Sequence, residues 1–526
     1  KYGGCIIADS VGLGKTFEAL AVIKYYELRN DRVLVICPKK LRDNWTVYTQ
    51  NDKRNILLND RFNYDVLSHT DLTRVRGMSG DIDLATINWS NYDLVVIDES
   101  HNFRNNYPSK SEMTRYARMM NEVIKKGVKT KLLMLSATPV NNRMNDLKNQ
   151  ILFISEGEDK VFADEGIDSI SNVMKQAQKQ FSDWSKSSNR NKNSLFDLLD
   201  NRYFKLLDML TIARSRKHIG KYYDSADVGE FPTRLKPINI KSDIDSEGLF
   251  PSLREINNAI RRLNLANYSP ISSLKENRKA DYEAKYDYQL STGSVFKQSD
   301  REKSLVDLMR VNYLKRMESS IYSFYLSIQA LLKQVNENLH KVENAEYLSD
   351  SSITIENINV EEDEAEYLIG NKVKVLLQDI DLVKWKQALE YDRDTLTQLM
   401  NKAAKISTAR DEKLTKLKEL IADKITNPLN ENNKKIIVFT AFADTANYLY
   451  DALSVWIQSE FGLYSALIKG SGTNKTNFPG TKQKEMNDLL THFSPISKNR
   501  HKTFPKAKGE IDLLIATDCI SEGQNL

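Results

Sequence analysis

Three runs in the first 140 residues end apolar stretches with polar side chains suited to phosphate chemistry. The first, CIIADSVGLGKT, passes from an apolar stretch into the helical pattern FEALAVIKYYEL. Val11, Gly12, Leu13, Gly14, Lys15 and Thr16 therefore sit at a strand-to-helix turn. Glycines there let the backbone curl so that its N–H groups and the helix N-terminus face a β-phosphate. Lys15 would reach the β- and γ-phosphates of a nucleotide, and the Thr16 hydroxyl would bind magnesium. The widespread GxxxxGK[ST] spacing asks for glycine where this chain has Asp9, so the strict pattern is not met. In the second run, NYDLVVIDESHNFRN, Asp98 and Glu99 close an apolar strand. Asp98 suits a magnesium ligand, direct or through water, and Glu99 a general base that polarises an attacking water. His101, completing a DExH arrangement, is placed to sense the nucleotide. The third run, KLLMLSATPVNN, puts the hydroxyls of Ser136 and Thr138 after another strand, where they could couple the site to a second lobe. Each run alone also reads as an ordinary solvated turn; their order, each at a strand end, carries the argument.

The elements that position these groups follow from periodicity. Short, β-branched, fully apolar runs recur at 5–8, 33–37, 93–97 and 131–135, and again at 436–440, 466–469 and 513–517, with helical spacing between them as at 17–27 and 443–459. Strands apolar throughout, alternating with helices, imply parallel sheets covered on both faces. From about 156 to 425 strand signals nearly vanish and charged helical patterns take over. There, Leu314, Met317, Ile321, Phe324, Ile328, Leu331 and Val335 fall on one seam of a long helix, read as a self-packed hairpin in preference to a dimer contact. The acidic stretch 350–366 reads as a loop or disordered linker. The expectation is an α/β protein with two P-loop-type lobes, 1–155 and 426–526, separated by a mainly helical region, 156–425.

The runs ADSVGLGKT, VLVICPKKLRDNW, VIDESHNFRN and LSATPVNN resemble motifs I, Ia, II and III of the superfamily 2 helicases, most closely the Swi/Snf-type branch and its bacterial RapA-like relatives. KKIIVFTAFADTANYL is similar to motif IV and IDLLIATDCISEGQNL to motif V. LTIARSRKHI, LKRMESSIYSF and RDEKLTKLKELI also fit the family. The resemblance implies two RecA-like lobes with ATP and magnesium in the cleft and nucleic acid, double-stranded DNA above all, across their tops. It places Pro38, Lys39, Thr440, Thr517 and Ser521 against the nucleic-acid backbone, contacts without sequence information, and Glu522 and Gly523 nearer the ATP cleft. It implies an ATP-driven translocase that need not separate strands. An RNA-directed ATPase of the same superfamily and a DNA-binding scaffold without turnover are the rival readings; intact Lys15, Asp98 and Glu99 argue against the scaffold. The glutamine-bearing adenine motif of the family would precede residue 1, and the arginines of motif VI would follow Leu526, so the sequence reads as part of a longer protein and is expected to hydrolyse ATP poorly alone.

Bulk composition excludes little. At roughly 100–200 residues per domain, 526 residues predict three to four domains. A formal charge of +5 from 76 basic and 71 acidic residues leaves attraction for phosphate to local patches. One such patch is the interleaved run Trp184, Lys186, Arg190, Lys192, Phe196, Arg202, Tyr203, Phe204, Arg214, Arg216 and Lys217, which reads either as a nucleic-acid-facing surface or as a solvated helical face. No run reaches the ~18 apolar residues of a membrane span, and a cytoplasmic setting is expected. Cys5, Cys37 and Cys519 lack metal-ligand spacing and read as small buried hydrophobes on strands.

Overall fold

The computed structural model describes residues 2–104, 113–140, 143–144, 146–187, 190–223, 231–289, 295–344, 352–354, 374–470, 472–481, 485–520 and 524. The chain divides into two compact units: the described residues of Lys1–Lys236 and Ser497–Pro505 with Gln524, and those of Pro237–Ile496 and Lys506–Ser521.

The first unit is built on six parallel strands. They are β1 (Gly4–Ile7), β2 (Val33–Cys37), β3 (Asp65–Ser68), β4 (Leu94–Asp98), β5 (Lys131–Leu135) and β6 (Thr211–Ile212), in the order β3-β2-β4-β5-β1-β6. Alternate side chains go to opposite faces, as a period of two demands. Val33, Val35, Leu94, Val96, Leu133 and Leu135 pack beneath α1 (Lys15–Glu27) with Trp45 of α2 (Arg42–Thr46). Leu34, Ile36, Val95, Ile97, Leu132 and Met134 pack against α3 (Asp146–Ile154), α4 (Ile170–Lys186) and α5 (Asn201–Leu210). Both faces being covered, fully apolar strands are what the sheet requires. Two strands escape the sequence reading: β3, whose run DVLS is short, and β6, two residues that close the β1 edge.

In the second unit, β7 (Ile436–Phe439), β8 (Tyr464–Ile468), β9 (Lys475–Thr476) and β10 (Ile511–Ala516) form a sheet in the order β7-β10-β8-β9, parallel except for β9. A separate helical core joins α6 (Gln298–Ser319), α7 (Ile321–Glu343) and α8 (Leu382–Ala403). The seam from Leu314 to Val335 is buried or half-buried, Leu314 included, yet it does not lie on one long helix. Ser320 takes an extended backbone, φ −158° and ψ 147°, and its side chain accepts from the Ser323 N–H, so it ends α6 and caps α7. A serine that bonds local backbone competes with helix continuation. Within 350–366 only 352–354 are described, and they pair as a strand, Ser352–Thr354, with Lys374–Leu376. Cys37 lies buried on β2 and Cys5 half-buried on β1, but Cys519 lies in a turn after β10, buried there by Ile520 and its neighbours.

Candidate nucleotide site

The C-terminal ends of β1, β4 and β5 carry the three polar runs. In open parallel sheets this edge is where ligands bind. At the β1 end the backbone turns through Gly12 (φ 81°) and Gly14 (φ 86°) before α1 begins. Gly14 is the N-cap, left-handed, with no side chain accepting from the first N–H groups of the helix. Positive φ costs an L-residue about 1 kcal/mol or more, so both positions favour glycine. Lys15 lies against the loop and donates to the Asp9 carbonyl at 3.0 Å. Thr16 is half-buried in the first turn of α1, while Val11 and Gly12 are exposed and Leu13 is half-buried. An exposed glycine loop, a lysine beside it and open helix N–H groups fit a nucleotide triphosphate.

Asp98 ends β4 with each of its oxygens engaged. The Trp45 indole Nε1 donates to Oδ2 at 2.9 Å, and the Glu99 N–H donates to Oδ1 at 3.1 Å. The Asp98 carbonyl accepts from His69 Nε2 at 2.9 Å. A carbonyl only accepts, so that nitrogen carries the proton. Burial holds the His69 ring neutral, its pKa lowered to about 3. Glu99 is buried and its backbone is left-handed, φ 49°. A strained backbone at a would-be general base is the kind of outlier that clusters at functional sites. His101 Nδ1 lies 3.3 Å from Glu99 Oε2 and 3.1 Å from Ser136 Oγ. Since a carboxylate can only accept, Nδ1 bears the hydrogen.

Ser136 follows β5, and the register Asp98↔Leu135 brings it beside Glu99. It is fully buried, and the Thr138 N–H donates to its hydroxyl at 3.3 Å; Thr138 itself is exposed. Gln150 of α3, also fully buried, ties the two turns together: its Oε1 accepts from Ser100 Oγ at 2.8 Å and its Nε2 donates to the Pro139 carbonyl at 3.1 Å. Lys15, Asp98, Glu99, His101 and Ser136 thus share one sheet edge. Trp45, His69 and Gln150 support it and went unread in the sequence. Trp45 closes the run VLVICPKKLRDNW that resembles motif Ia, but nothing there gave it a role; for His69 and Gln150 there was no signal short of the fold.

One of the comparisons falls on this same stretch. Residues 2–141 match the family model described as Type III restriction enzyme, res subunit. The ATP-dependent helicase YqhH of Bacillus subtilis is 30% identical over 162 residues, 30% of this chain and 27% of that protein. The matched stretch is similar to the ATPase lobe of superfamily 2 helicases of the Swi/Snf type. Mouse ZRANB3, a DNA annealing helicase and endonuclease, is 25% identical over 170 residues, 29% of this chain and 14% of that protein. The matches thus span about a quarter or less of these relatives' own lengths. The Pyrococcus furiosus Hef helicase domain aligns over 98% of this chain and 83% of that one at 14% identity, with a TM-score of 0.35, too loose a likeness to argue from.

Pro38 and Lys39 follow β2. Pro38 opens a single 3-10 turn, Lys39–Leu41, and Lys39 is exposed. In the second unit, Phe439↔Ala516 pairing sets Thr440 and Thr517 side by side past β7 and β10. The Thr440 hydroxyl is half-buried and shares a hydrogen bond with Ser319 Oγ at 3.2 Å. Thr517 is buried, its hydroxyl accepting from the Gly470 N–H at 3.2 Å. Ser521, Glu522 and Gly523 lie outside the described residues. The interleaved basic and aromatic run does not form one surface: Tyr203 is buried in the first core, Arg202 pairs with Asp200, and Arg214 pairs with Asp9. Among the described residues no helix is long and apolar enough to cross a membrane.

Proposed function

We propose that this chain is the ATP-hydrolysing core of a motor that moves along nucleic acid, double-stranded DNA in the first instance. The observation that carries the reading is the gathering of Lys15, Asp98, Glu99, His101 and Ser136 on the C-terminal edge of one parallel sheet, in a lobe of helicase type. In this reading residues 1–155 form the first ATPase lobe, 156–425 the helical insertion and linker, and 426–526 the second lobe. DNA is favoured over RNA because relatives such as ZRANB3 are named for acting on it.

The roles follow from the chemistry of each group. Val11 to Gly14 cradle the phosphates with backbone N–H groups, and Lys15 neutralises the β- and γ-oxygens. Thr16 and Asp98 would hold magnesium, which when bound supplies neutralisation of the triphosphate charge. Glu99 accepts hydrogen bonds from the attacking water and draws off its proton. His101, bonded to both Glu99 and Ser136, relays the state of the base toward the turn that carries Thr138. Pro38, Lys39, Thr440, Thr517 and Ser521 serve the nucleic-acid backbone, with Glu522 and Gly523 on the ATP side. Thr517 can keep the bond it accepts from Gly470 and turn to a phosphate the hydrogen it now directs at Cys519 Sγ.

The test is ATP hydrolysis by the full-length protein and its Glu99→Gln variant with no polymer, duplex DNA, single-stranded DNA or RNA. Stimulation by duplex DNA, lost by a hundredfold or more in the variant, is expected. Stimulation by RNA alone would overturn the DNA reading, and absence of turnover with every polymer would overturn the motor.

A further inference from the structure

The Asp9 position, where the commoner phosphate loop has glycine, has an occupation of its own. Its side chain is 1% exposed and is gripped by a residue 205 positions later. Arg214 donates its backbone N–H to Asp9 Oδ1 at 2.8 Å, and its Nε and terminal nitrogen to Oδ2 at 2.9 and 2.7 Å. The same guanidinium also pairs with Glu18 in the first turn of α1. Burial and the neighbouring Asp9 carboxylate push the Glu18 carboxyl up while Arg214 pulls it back, so the two acids share one cation. The strap is backbone-fixed as well: β6 adds to the β1 edge, Ala8 N–H donates to the Ile212 carbonyl at 2.7 Å, and Ser10 N–H to the Arg214 carbonyl at 3.0 Å. Two residues on, Arg216 reaches the Val11 carbonyl at 3.3 Å. Asp9 in turn offers its carbonyl to Lys15.

We propose that Arg214 is a positioning residue for nucleotide binding, acting through Asp9 to set the phosphate loop and the resting place of Lys15 and to cancel the two carboxylates that flank the loop. The proposal rests on the nucleotide-site reading above. Arg214 touches none of the reacting atoms in this account. Its effect is electrostatic and geometric: without it, Asp9 and Glu18 would present two uncompensated charges to an incoming triphosphate, and the buried Asp9 would lose its charged donors. A lysine would keep the charge but not the forked geometry that spans both acids.

The experiment is titration of the full-length protein with a fluorescent mant-ATP analogue and magnesium, without nucleic acid, for wild type, Arg214→Ala, Arg214→Lys, Asp9→Asn, and Arg214→Ala combined with Asp9→Asn. Arg214→Ala is expected to weaken binding about tenfold or more, the loss of one charge-assisted contact at a buried group, with Arg214→Lys between. Removing the stranded carboxylate in the double variant is expected to restore most of that affinity, measured on folded protein well below the melting temperature of every variant, where a tie that serves stability alone would leave binding unchanged. In steady-state hydrolysis KM should rise more than kcat falls. Should Arg214→Ala not fold, Arg214→Lys decides in the same direction with a smaller change. Arg214 variants that bind like wild type, or a double variant no better than Arg214→Ala, would overturn the proposal and leave the nucleotide site standing. Wild type that binds no nucleotide would overturn both.

Discussion

Asp98 keeps its carboxylate aimed by donors that have no chemistry of their own. The Trp45 indole and the Glu99 N–H occupy one oxygen each, and the His69 ring holds the backbone carbonyl. Partners of this sort orient a magnesium ligand, and their loss ordinarily costs 10–100-fold in metal affinity or activity. Trp45→Phe keeps an aromatic ring in the core and deletes the donor, with the loss of the pyrrole half of the indole. It is expected to raise the magnesium concentration for half-maximal ATP hydrolysis about tenfold, with circular dichroism unchanged; unchanged magnesium dependence would remove Trp45 from the site. The sequence made Lys15, Asp98 and Glu99 legible because each combines a particular residue type with a strand end. Trp45 and His69 were hidden because an indole and an imidazole in apolar surroundings look like core, and here they are core as well, 1% and 4% exposed.

At the scale of elements, apolar runs placed β2 and β5 to the residue and β7, β8 and β10 to within a few; buried strands such as β2, β5, β8 and β10 leave no polar alternation to blur them, and β7 is apolar throughout although Ile437 and Phe439 are exposed. The two-residue β6 could not be read, since its place depends on a partner, β1, some 200 residues away, and local pattern holds no record of such pairing. The α6–α7 break was missed for the opposite reason: the apolar seam runs on through it, and only the hydroxyls mark the stop. Ser320 caps α7 and also meets Thr445 Oγ1 at 2.9 Å, while Arg316, one turn earlier, pairs with Asp444 and stacks on Phe442. Replacing a serine cap typically costs about 1 kcal/mol, and a buried lost hydrogen bond adds a similar amount. Ser320→Ala should therefore destabilise the second unit by about 2 kcal/mol, read as a lower urea midpoint at constant m-value.

For the molecule as a whole, two units with separate cores imply two calorimetric transitions with different sensitivities. Nucleotide at a hundred times its Kd should raise the stability of the first by about 2.7 kcal/mol and leave the second in place. The second should respond to alkali. Glu302 on α6 is buried, accepts from the Ile271 N–H, and burial raises its pKa to about 8 from 4.5. Its folded form holds a proton that the unfolded chain releases, so its contribution is complete below about 4.5 and declines as pH rises through about 8. Each pKa unit corresponds to about 1.4 kcal/mol, so the melting temperature of that transition should fall by several degrees between pH 6 and pH 8.5. Glu302→Gln should flatten the decline; an unaltered slope would assign the pH response to other groups.

The β6 strap also sets a timetable. A ribosome adds about 5–20 residues per second, and Asp9 waits for a partner 205 positions downstream. For roughly 10 to 40 s of every synthesis the nascent phosphate loop exists without its outer strand or its arginine. A chain cut between Thr138 and Thr211 would carry Lys15, Asp98, Glu99, His101 and Ser136 and still lack the strand and the arginine that tighten the loop.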